Sequence, residues 1–250
     1  MTPDTAPDAC GGARADARSA AVAERYAALQ ERVARASGCA FSDSGVTVVA
    51  VTKAQGAWAI DAAAVCGIGD VAENYAQECV SKLAETTVAR RPRTHFVGRL
   101  QRNKIKLLAG RIDVWQTVDR AELITEISRR APGAGIMIQV NISQERSKGG
   151  CVPESAEVLA SQARDADLDL LGLMGIGPLG SPEDARSGFR LLRRMVDGFG
   201  LEHCSMGMTD DLEVAVAEGA TMLRIGRGIF GERPPREAQQ NPSQYEFKPK

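Results

Sequence analysis

The chain has 250 residues and a formal net charge of −1 at pH 7, and 25% of its residues are charged. This length fits one large domain, and the near-neutral charge provides no basic field that would attract nucleic acid or an anionic membrane. No apolar run approaches the roughly 20 residues of a membrane-spanning helix, and the first residues lack the basic and then apolar start of a signal peptide. We therefore expect a soluble cytoplasmic protein without nucleic-acid or membrane partners.

The cysteines and histidines bear on metal, disulfide and thiol chemistry. The six cysteines are widely spaced and contain no C-x-x-C pair, so neither a zinc site nor a disulfide framework is indicated. Thiol catalysis would need His95 or His203, and Cys204 would point to the opposite face of a strand from its neighbour His203. We therefore expect no bound metal and no catalytic cysteine, and we place His95 in the core of a strand.

Both ends of the chain have compositions typical of disorder. Residues 1–13 are rich in Pro, Gly, Asp and Ala, and residues 233–250 are polar and contain several prolines. Residues 14–35 follow an alanine-rich amphipathic pattern, which predicts a helix ahead of the first strand. The folded domain is therefore expected to cover residues 14–232, between a disordered leader and a disordered tail.

Short apolar segments alternate with helical segments through this domain. Such alternation predicts a parallel sheet, and the strand count predicts a single closed (β/α)8 TIM barrel with an extra N-terminal helix and no second domain. A doubly wound open sheet is the competing fold, but it more usually has about five to seven strands and a Gly-rich first turn. The predicted strands are 46–53, 68–72, 95–98, 113–118, 135–141, 168–175, 203–206 and 220–225. The predicted helices between and after them are 58–65, 76–86, 103–109, 120–130, 154–165, 182–198, 210–217 and 227–230.

The first predicted strand is an almost unbroken β-branched run that ends in Lys53. Such a run indicates a parallel strand that is buried on both faces. Because α/β barrels bind their ligands at the carboxyl ends of the strands, a lysine at this position can meet a ligand, and apolar surroundings favour its neutral, nucleophilic form. Lys53 is therefore a candidate Schiff-base lysine, and the alternative is that it begins a solvated loop.

Glycines follow the last two predicted strands, in Ser205-Met206-Gly207 and in Gly226-Arg227-Gly228. Barrels frequently bind phosphate between these loops and a short extra helix, because backbone N–H groups at a helix start donate to the anion and glycine permits close approach. The alternative is that the glycines only make tight turns. Together, a Schiff-base lysine and a phosphate site imply a ligand with an aldehyde and a phosphate, either pyridoxal 5'-phosphate or a sugar phosphate.

Arg224 ends the eighth predicted strand, between the lysine and the phosphate loop. A guanidinium only donates hydrogen bonds, so opposite a pyridine nitrogen it would leave that nitrogen unprotonated. The alternative is a salt bridge from Arg224 to Glu73 or Asp211. The basic stretch from Arg90 to Arg93 is expected on the solvated surface. Lys148, in the loop after the fifth predicted strand, could approach the site, but we expect a surface lysine there.

Motifs distributed along the chain carry a family resemblance. They are Val51-Thr52-Lys53, Glu73-Asn74-Tyr75-x-Gln77-Glu78, His95-Phe96-Val97-Gly98-x-Leu100-Gln101-x-Asn103-Lys104, Gln139-Val140-Asn141-Ile142-Ser143, Gly172-Leu173-Met174, Ser205-Met206-Gly207-Met208-Thr209-x-Asp211 and Arg224-Ile225-Gly226. With these motifs the chain resembles the pyridoxal phosphate homeostasis proteins, single-barrel relatives of the N-terminal domain of alanine racemase. It departs from them at Ala72, where many members have glycine, and at Gly175-Ile176-Gly177, which replaces the commoner Ala-Ile-Pro.

The resemblance implies that pyridoxal 5'-phosphate is the cofactor and that Lys53 holds it as an aldimine. It also implies phosphate binding by Ser205, Gly226 and Arg227 and a contact from Arg224 to the pyridine nitrogen, while Asn74 and Met206 would line the pocket. The implied function is storage and supply of the cofactor inside the cell, with PLP-dependent apo-enzymes as recipients. The residues implied to bind the cofactor are Lys53, Asn74, Ser205, Met206, Arg224, Gly226 and Arg227.

An amino-acid racemase is the alternative function. Racemases of this type use a tyrosine from a separate β-domain as a second base, whereas here only Tyr75 is predicted near the carboxyl ends of the strands. One lysine without an opposing base is poorly equipped for two-sided proton transfer. A Schiff-base aldolase would share the barrel, the lysine and the phosphate site, but the family motifs argue against it. We therefore expect a non-catalytic, monomeric carrier of pyridoxal phosphate.

Overall fold

The computed structural model describes residues 9–143, 145 and 148–232, with the backbone alone for residues 9–16. Residues 1–8 of the predicted leader and the whole predicted tail lie outside the described residues. The first helix, α1 (Ala9–Ser37), begins five residues before the start predicted at residue 14. Alanine is the best helix former, and it recurs often enough here to extend the helix past the adjacent glycines.

Eight parallel strands form a closed barrel in which each strand pairs with the next and the last strand pairs with the first. The predicted fold class is therefore confirmed. Continuous apolar runs favour this arrangement because the strands of a closed parallel sheet are buried on both faces. The strands are β1 (Thr47–Val51), β2 (Asp70–Glu73), β3 (Arg93–Phe96), β4 (Val114–Val118), β5 (Gly135–Val140), β6 (Asp169–Gly175), β7 (His203–Ser205) and β8 (Met222–Ile225).

Helices follow the strands and cover the outside of the barrel, while α1 packs against the second, eighth and ninth helices. The helices after α1 are α2 (Trp58–Val65), α3 (Ala76–Glu85), α4 (Arg102–Leu108), α5 (Ala121–Arg130), α6 (Ala156–Asp165), α7 (Arg186–Gly198), α8 (Leu212–Ala217) and α9 (Arg227–Phe230). Two of the predicted helices begin with a 3-10 turn, Pro153–Ser155 before α6 and Pro182–Ala185 before α7. Proline suits the first position of such a turn because it has no N–H to satisfy.

Side chains of the strands alternate between two separate layers. The outer layer lies between strands and helices, and the inner layer fills the barrel. The apolar part of the inner layer consists of Val49, Val51, Ala72, Val114, Met137, Met174 and Met222. Several buried polar side chains also lie on the strands, and four of them are connected to one another, namely His95, Gln116, Ser205 and Arg224. Because buried polar groups need partners, these side chains require a hydrogen-bond network inside the barrel.

The register of β1 with its two neighbours determines which residues meet at the carboxyl end. Val51 pairs with Ala72 of β2, so Lys53 and Asn74 both lie two residues beyond that pair. On the other side Ala50 pairs with Ile225 of β8, so Gly226 follows directly. The loops after β1, β2 and β8 therefore converge at one edge of the barrel.

Within the described part of the chain, no helix is long and apolar enough to cross a membrane. The same residues contain no group of three or more His, Cys, Asp or Glu side chains that could hold a metal ion.

Candidate functional site

A cavity of about 240 Å³ lies at the carboxyl ends of the strands. It contains three basic side chains and one acidic side chain, so it favours an anionic ligand. A second cavity of about 320 Å³ adjoins it and shares Val51, Lys53, Gly226 and Arg227 with it. The first cavity is lined by Val51, Lys53, Asn74, Val97, Ile176, Met208, Thr209, Asp210, Arg224, Gly226 and Arg227.

Lys53 is half-buried in the loop that follows β1 and contributes to both cavities. Its two neighbours in the chain are fixed by α3. The Nζ of Lys82 donates to the carbonyl of Thr52 at 2.7 Å, and the backbone N–H of Ala54 donates to Oε1 of Glu78 at 2.6 Å. The backbone on both sides of Lys53 is therefore attached to one helix, unlike a solvated loop.

A buried charge cluster makes this attachment. Lys82 lies 2.8 Å from Oε1 of Glu73 and 2.5 Å from Oε1 of Glu78. The side chains of Lys82 and Glu73 are 5% and 0% exposed, and Oε2 of Glu73 has no hydrogen-bond partner among the described residues. Burial raises the pKa of Glu73, against the opposing effect of Lys82. Sequence reasoning missed Lys82, although its spacing of four from Glu78 was a usable signal.

Asn74 follows β2 and lines the first cavity, where its Oδ1 atom is buried without a hydrogen-bond partner among the described residues. A buried acceptor without a partner costs free energy unless a ligand or water donates to it. The neighbouring loop supports the Asn74 backbone closely, because an ideal Cβ on Gly98 would lie 1.8 Å from the carbonyl oxygen of Asn74. Only glycine at position 98 therefore allows the two backbone segments to lie this close together.

Arg224 is 5% exposed and reaches the cavity from β8. Its Nη1 donates to Oγ of Ser205 and its Nη2 to the carbonyl of Gly175, both at 2.7 Å. The alternative salt bridges to Glu73 or Asp211 are not formed, since Glu73 pairs with Lys82 and Asp211 accepts from the N–H of Met208 at 2.6 Å. Burial lowers the pKa of Arg224 to about 10, so the guanidinium stays charged at neutral pH.

Two of the predicted phosphate-binding residues line the cavity, and Ser205 does not. Gly226 and Arg227 are in its wall, and the guanidinium of Arg227 lies 2.5 and 2.6 Å from the carboxylate oxygens of Asp210. The hydroxyl of Ser205 instead lies deeper in the barrel, between Arg224 and Gln116. Successive side chains of β7 point to opposite faces, so that of Ser205 lies in the inner layer while its two neighbours lie in the outer layer.

Met206 also lies away from the cavity. Its side chain is fully buried in the outer layer, where its sulfur is 3.6 Å from that of Cys204. Its backbone N–H donates to the carbonyl of Met222 at 3.1 Å. The alternation of side chains along β7 explains the position, because Met206 points away from the barrel interior that Ser205 faces.

Three other residues weighed from the sequence have clear positions. Lys148 is 18% exposed, and its Nζ donates at 2.7 Å both to the carbonyl of Gly177 and to Glu145. The expectation of a surface lysine was therefore wrong, since Lys148 links the loops after β5 and β6. Burial raises the pKa of Cys204 to about 12, which excludes a reactive thiolate there. Tyr75 is 60% exposed and is not part of the wall of either cavity.

Comparison with known proteins gives one consistent family. A family model described as the alanine racemase N-terminal domain matches residues 25–234. The pyridoxal phosphate homeostasis protein of Pseudomonas aeruginosa is 37% identical over 222 residues, which cover 85% of this chain and 96% of the relative. The protein of the same name from Escherichia coli strain K12 is 36% identical over 228 residues, covering 85% of this chain and 97% of the relative.

A solved structure gives the same result at the level of the fold. PipY from Synechococcus elongatus, solved with PLP bound, superposes with a TM-score of 0.73 at 29% identity. The match covers 84% of this chain and 100% of the PipY chain. The two proteins therefore share the whole barrel.

Proposed function

This chain belongs to the family of pyridoxal phosphate homeostasis proteins, and we propose that it binds pyridoxal 5'-phosphate as an aldimine on Lys53 and supplies the cofactor inside the cell without turnover. The observation that carries the proposal is the convergence of Lys53, Arg224 and Arg227 on one cavity. An amine for the aldehyde, a donor for the ring nitrogen and a cation for the phosphate are the groups that this cofactor needs.

The chemistry of the donors fits this cofactor. The unpartnered Oδ1 of Asn74 can accept a hydrogen bond from the ligand or from a water bound with it. Arg224 is buried and donates no hydrogen bond to a carboxylate in the described part of the chain, and its guanidinium has more N–H groups than Ser205 and Gly175 engage. Such a group donates a hydrogen bond to a pyridine nitrogen and does not protonate it. The neutral ring therefore withdraws electrons less strongly than a pyridinium would.

The phosphate is proposed to bind beside Gly226 and Arg227. Both residues follow β8, and both line the two adjoining cavities. Phosphate sites of barrels commonly occupy this position, where a short helix begins after the eighth strand. The ion pair of Arg227 with Asp210 is exposed, so a phosphate competes for the guanidinium against a carboxylate that water also solvates.

The absence of turnover is proposed from the wall of the cavity. Among its described residues, no tyrosine or histidine lies opposite Lys53 as a second base. Bound cofactor supplies an electron sink, but proton transfer on both faces of an α-carbon needs two positioned bases. The lining thus supports a carrier in preference to a racemase. We propose a monomeric cytoplasmic protein with PLP-dependent apo-enzymes as recipients, built as one barrel domain that begins with α1 at residue 9 and extends to residue 232.

The aldimine is tested on the purified protein incubated with pyridoxal 5'-phosphate. We expect a visible absorbance band that borohydride bleaches, and a reduced adduct on the peptide that contains Lys53. The Lys53→Ala variant should lose both signals. Lys106 is exposed on α4, so a Lys106→Ala variant is the matched control and should retain them. An adduct that persists on another lysine, such as Lys148, would contradict the assignment.

The carrier role is tested separately with amino acids in deuterated water. We expect no interconversion of alanine enantiomers beyond that of free cofactor. Saturable racemisation that disappears in the Lys53→Ala variant would instead favour the racemase alternative.

A further inference from the structure

A continuous line of hydrogen bonds crosses the barrel interior behind Arg224. Arg224 donates to Ser205 at 2.7 Å, and Ser205 donates to Oε1 of Gln116 at 2.7 Å. Nε2 of Gln116 lies 2.7 Å from Nδ1 of His95, and Nε2 of His95 lies 2.8 Å from Oδ1 of Asp70. We call these five side chains the relay. It extends from the cavity wall to the amino end of β2.

The two ends of the relay determine the direction of every hydrogen bond in it. A guanidinium only donates and an ionised carboxylate only accepts. Ser205 accepts from Arg224, so its own hydrogen is available for Oε1 of Gln116. The amide then presents its NH2 group to Nδ1 of His95, which must accept. His95 is therefore neutral with its proton on Nε2, and this proton is donated to Asp70.

Because the relay is buried, a reversed or missing hydrogen bond in it costs free energy. Ser205, Gln116 and His95 are fully buried, and the side chain of Asp70 is 13% exposed. Inside a protein the penalty for an unpaired polar group is high, so the relay is stable only when each member has its partner. Asp211 acts on the charge of Arg224, but no carboxylate of the described residues hydrogen-bonds to the guanidinium. The hydrogen bonds that start from Arg224 lead to Asp70.

Without the charge of Asp70, the opposite direction becomes available. His95 could then carry its proton on Nδ1 and donate to Gln116, whose amide would turn over and donate to Ser205. The hydroxyl oxygen of Ser205 would receive two donors, and its own hydrogen would have no acceptor among these partners. Competition from the Gln116 amide weakens the bond that orients Arg224.

We infer that Asp70 and His95 are positioning residues for Arg224, which act through Gln116 and Ser205 to fix the guanidinium that faces the ligand ring. The imidazole lies inside the barrel and the carboxylate at its amino end, and neither is part of the cavity wall that Arg224 lines. Side chains that hydrogen-bond to a binding residue from behind fix its orientation. The inference rests on the proposed function, because the contact in question is the one with the pyridine nitrogen.

The first test is the protonation of His95 in the ligand-free protein. The chain has only two histidines, so ¹⁵N long-range NMR resolves their rings, and a His203→Gln variant assigns them. We expect a neutral His95 with the proton on Nε2 in the unmodified protein and a loss of this preference in the Asp70→Ala variant. A proton on Nδ1 in the unmodified protein, alone or together with one on Nε2, would overturn the relay.

The second test compares pyridoxal 5'-phosphate with its carbocyclic analogue, in which CH replaces the ring nitrogen. The unmodified protein should prefer the pyridine, and Asp70→Ala should lower the ratio of the two affinities by about tenfold, the effect of one charge-assisted hydrogen bond. Arg93 is exposed and lies 3.8 Å from Asp70, so Arg93→Ala is the matched control and should leave the ratio unchanged.

The outcomes separate the two proposals. An unchanged ratio in Asp70→Ala, with both ligands bound, would overturn the positioning role and leave the proposed function intact. Failure of the unmodified protein to bind either ligand would overturn the proposed function and, with it, the positioning role. Because the tautomer of His95 is read without ligand, it still decides whether the relay itself exists.

Discussion

The ammonium of Lys82 lies 2.8 Å from the carboxylate of Glu73, and both side chains are almost completely buried beneath the loop that carries Lys53. A buried ion pair adds little net stability compared with apolar residues, but removal of one partner leaves an uncompensated charge. Here the same ammonium also binds the carbonyl of Thr52. The pair therefore links the stability of the fold to the position of Lys53.

We predict that Lys82→Met destabilises the protein by about 3 kcal/mol or more, because two carboxylates lose their cation. Urea unfolding followed by far-UV circular dichroism measures this change. Lys106→Met, at an exposed position of α4, should change the stability by no more than about 0.5 kcal/mol. Equal stabilities of the two variants would mean that the buried pair contributes nothing.

We predict that Gly98→Ala destabilises the protein by about 1–3 kcal/mol, because its Cβ would overlap the backbone of Asn74. The loop after β2 must move, so ligand affinity should fall together with stability. Gly69 provides the control, since a Cβ there meets no atom within 4 Å. Gly69→Ala should leave the affinity unchanged and the stability within about 0.5 kcal/mol of that of the unmodified protein. Thermal unfolding measures the stability of both variants, and ligand titration measures their affinity.

Substitution of the two partners of the ion pair between Arg227 and Asp210 should change the affinity for pyridoxal 5'-phosphate in opposite directions. Pyridoxal without the phosphate should bind the unmodified protein at least about a hundredfold more weakly than pyridoxal 5'-phosphate. Arg227→Gln should weaken only the phosphorylated ligand, whereas Asp210→Asn should strengthen it by about threefold because Arg227 loses its competing anion. Parallel titrations with both ligands measure these effects. Equal changes in affinity for the two ligands would mean that the phosphate does not bind beside Arg227.

Two carboxylates that are paired with arginines contribute to the dependence of the stability on acid pH. Contacts with Arg129 and Arg130 lower the pKa of Glu126, and contacts with Arg190 and Arg186 lower that of Glu218. Each therefore stabilises the fold above the ordinary pKa of 4.5, and this stabilisation disappears as the pH falls through the lowered value.

We predict that a variant with both Glu126→Gln and Glu218→Gln is less stable than the unmodified protein at pH 7. The two proteins should converge in acid, where the native carboxylates are protonated and resemble the amides. Urea midpoints across the pH range measure the difference. Glu157→Gln, at an exposed position of α6, is the control and should give a difference that is small at every pH.

The strands and the carboxyl-end position of Lys53 were predictable because they depend on local pattern. A buried parallel strand requires a continuous apolar run, and β1 and β5 both have one. In a closed parallel barrel the residues after such runs meet at one edge, so Lys53 and Asn74 could be placed without knowledge of any contact.

The partners of Arg224 were not predictable in the same way. Ser205 and Gln116 are 89 residues apart and meet across the barrel, which depends on the closure and stagger of the sheet. Glu73 was a plausible partner for Arg224 by charge, but it occupies the opposite face of β2 from Ala72 and meets α3. Met206 was misplaced for the same reason, since a shift of one residue along a strand moves a side chain from the inner layer to the outer layer.

The pairing of β8 with β1 has a consequence for the order in which the protein acquires its ligand. Lys53 follows the first strand and Arg224 lies on the last, so a growing chain makes the amine long before the guanidinium. Conformers in which β8 has left β1 lack Arg224, Gly226 and Arg227 in the cavity wall, and the ligand stabilises only the closed barrel. Cofactor uptake by a newly synthesised chain therefore has to wait for the final strand, so a chain that carries cofactor has already closed its barrel.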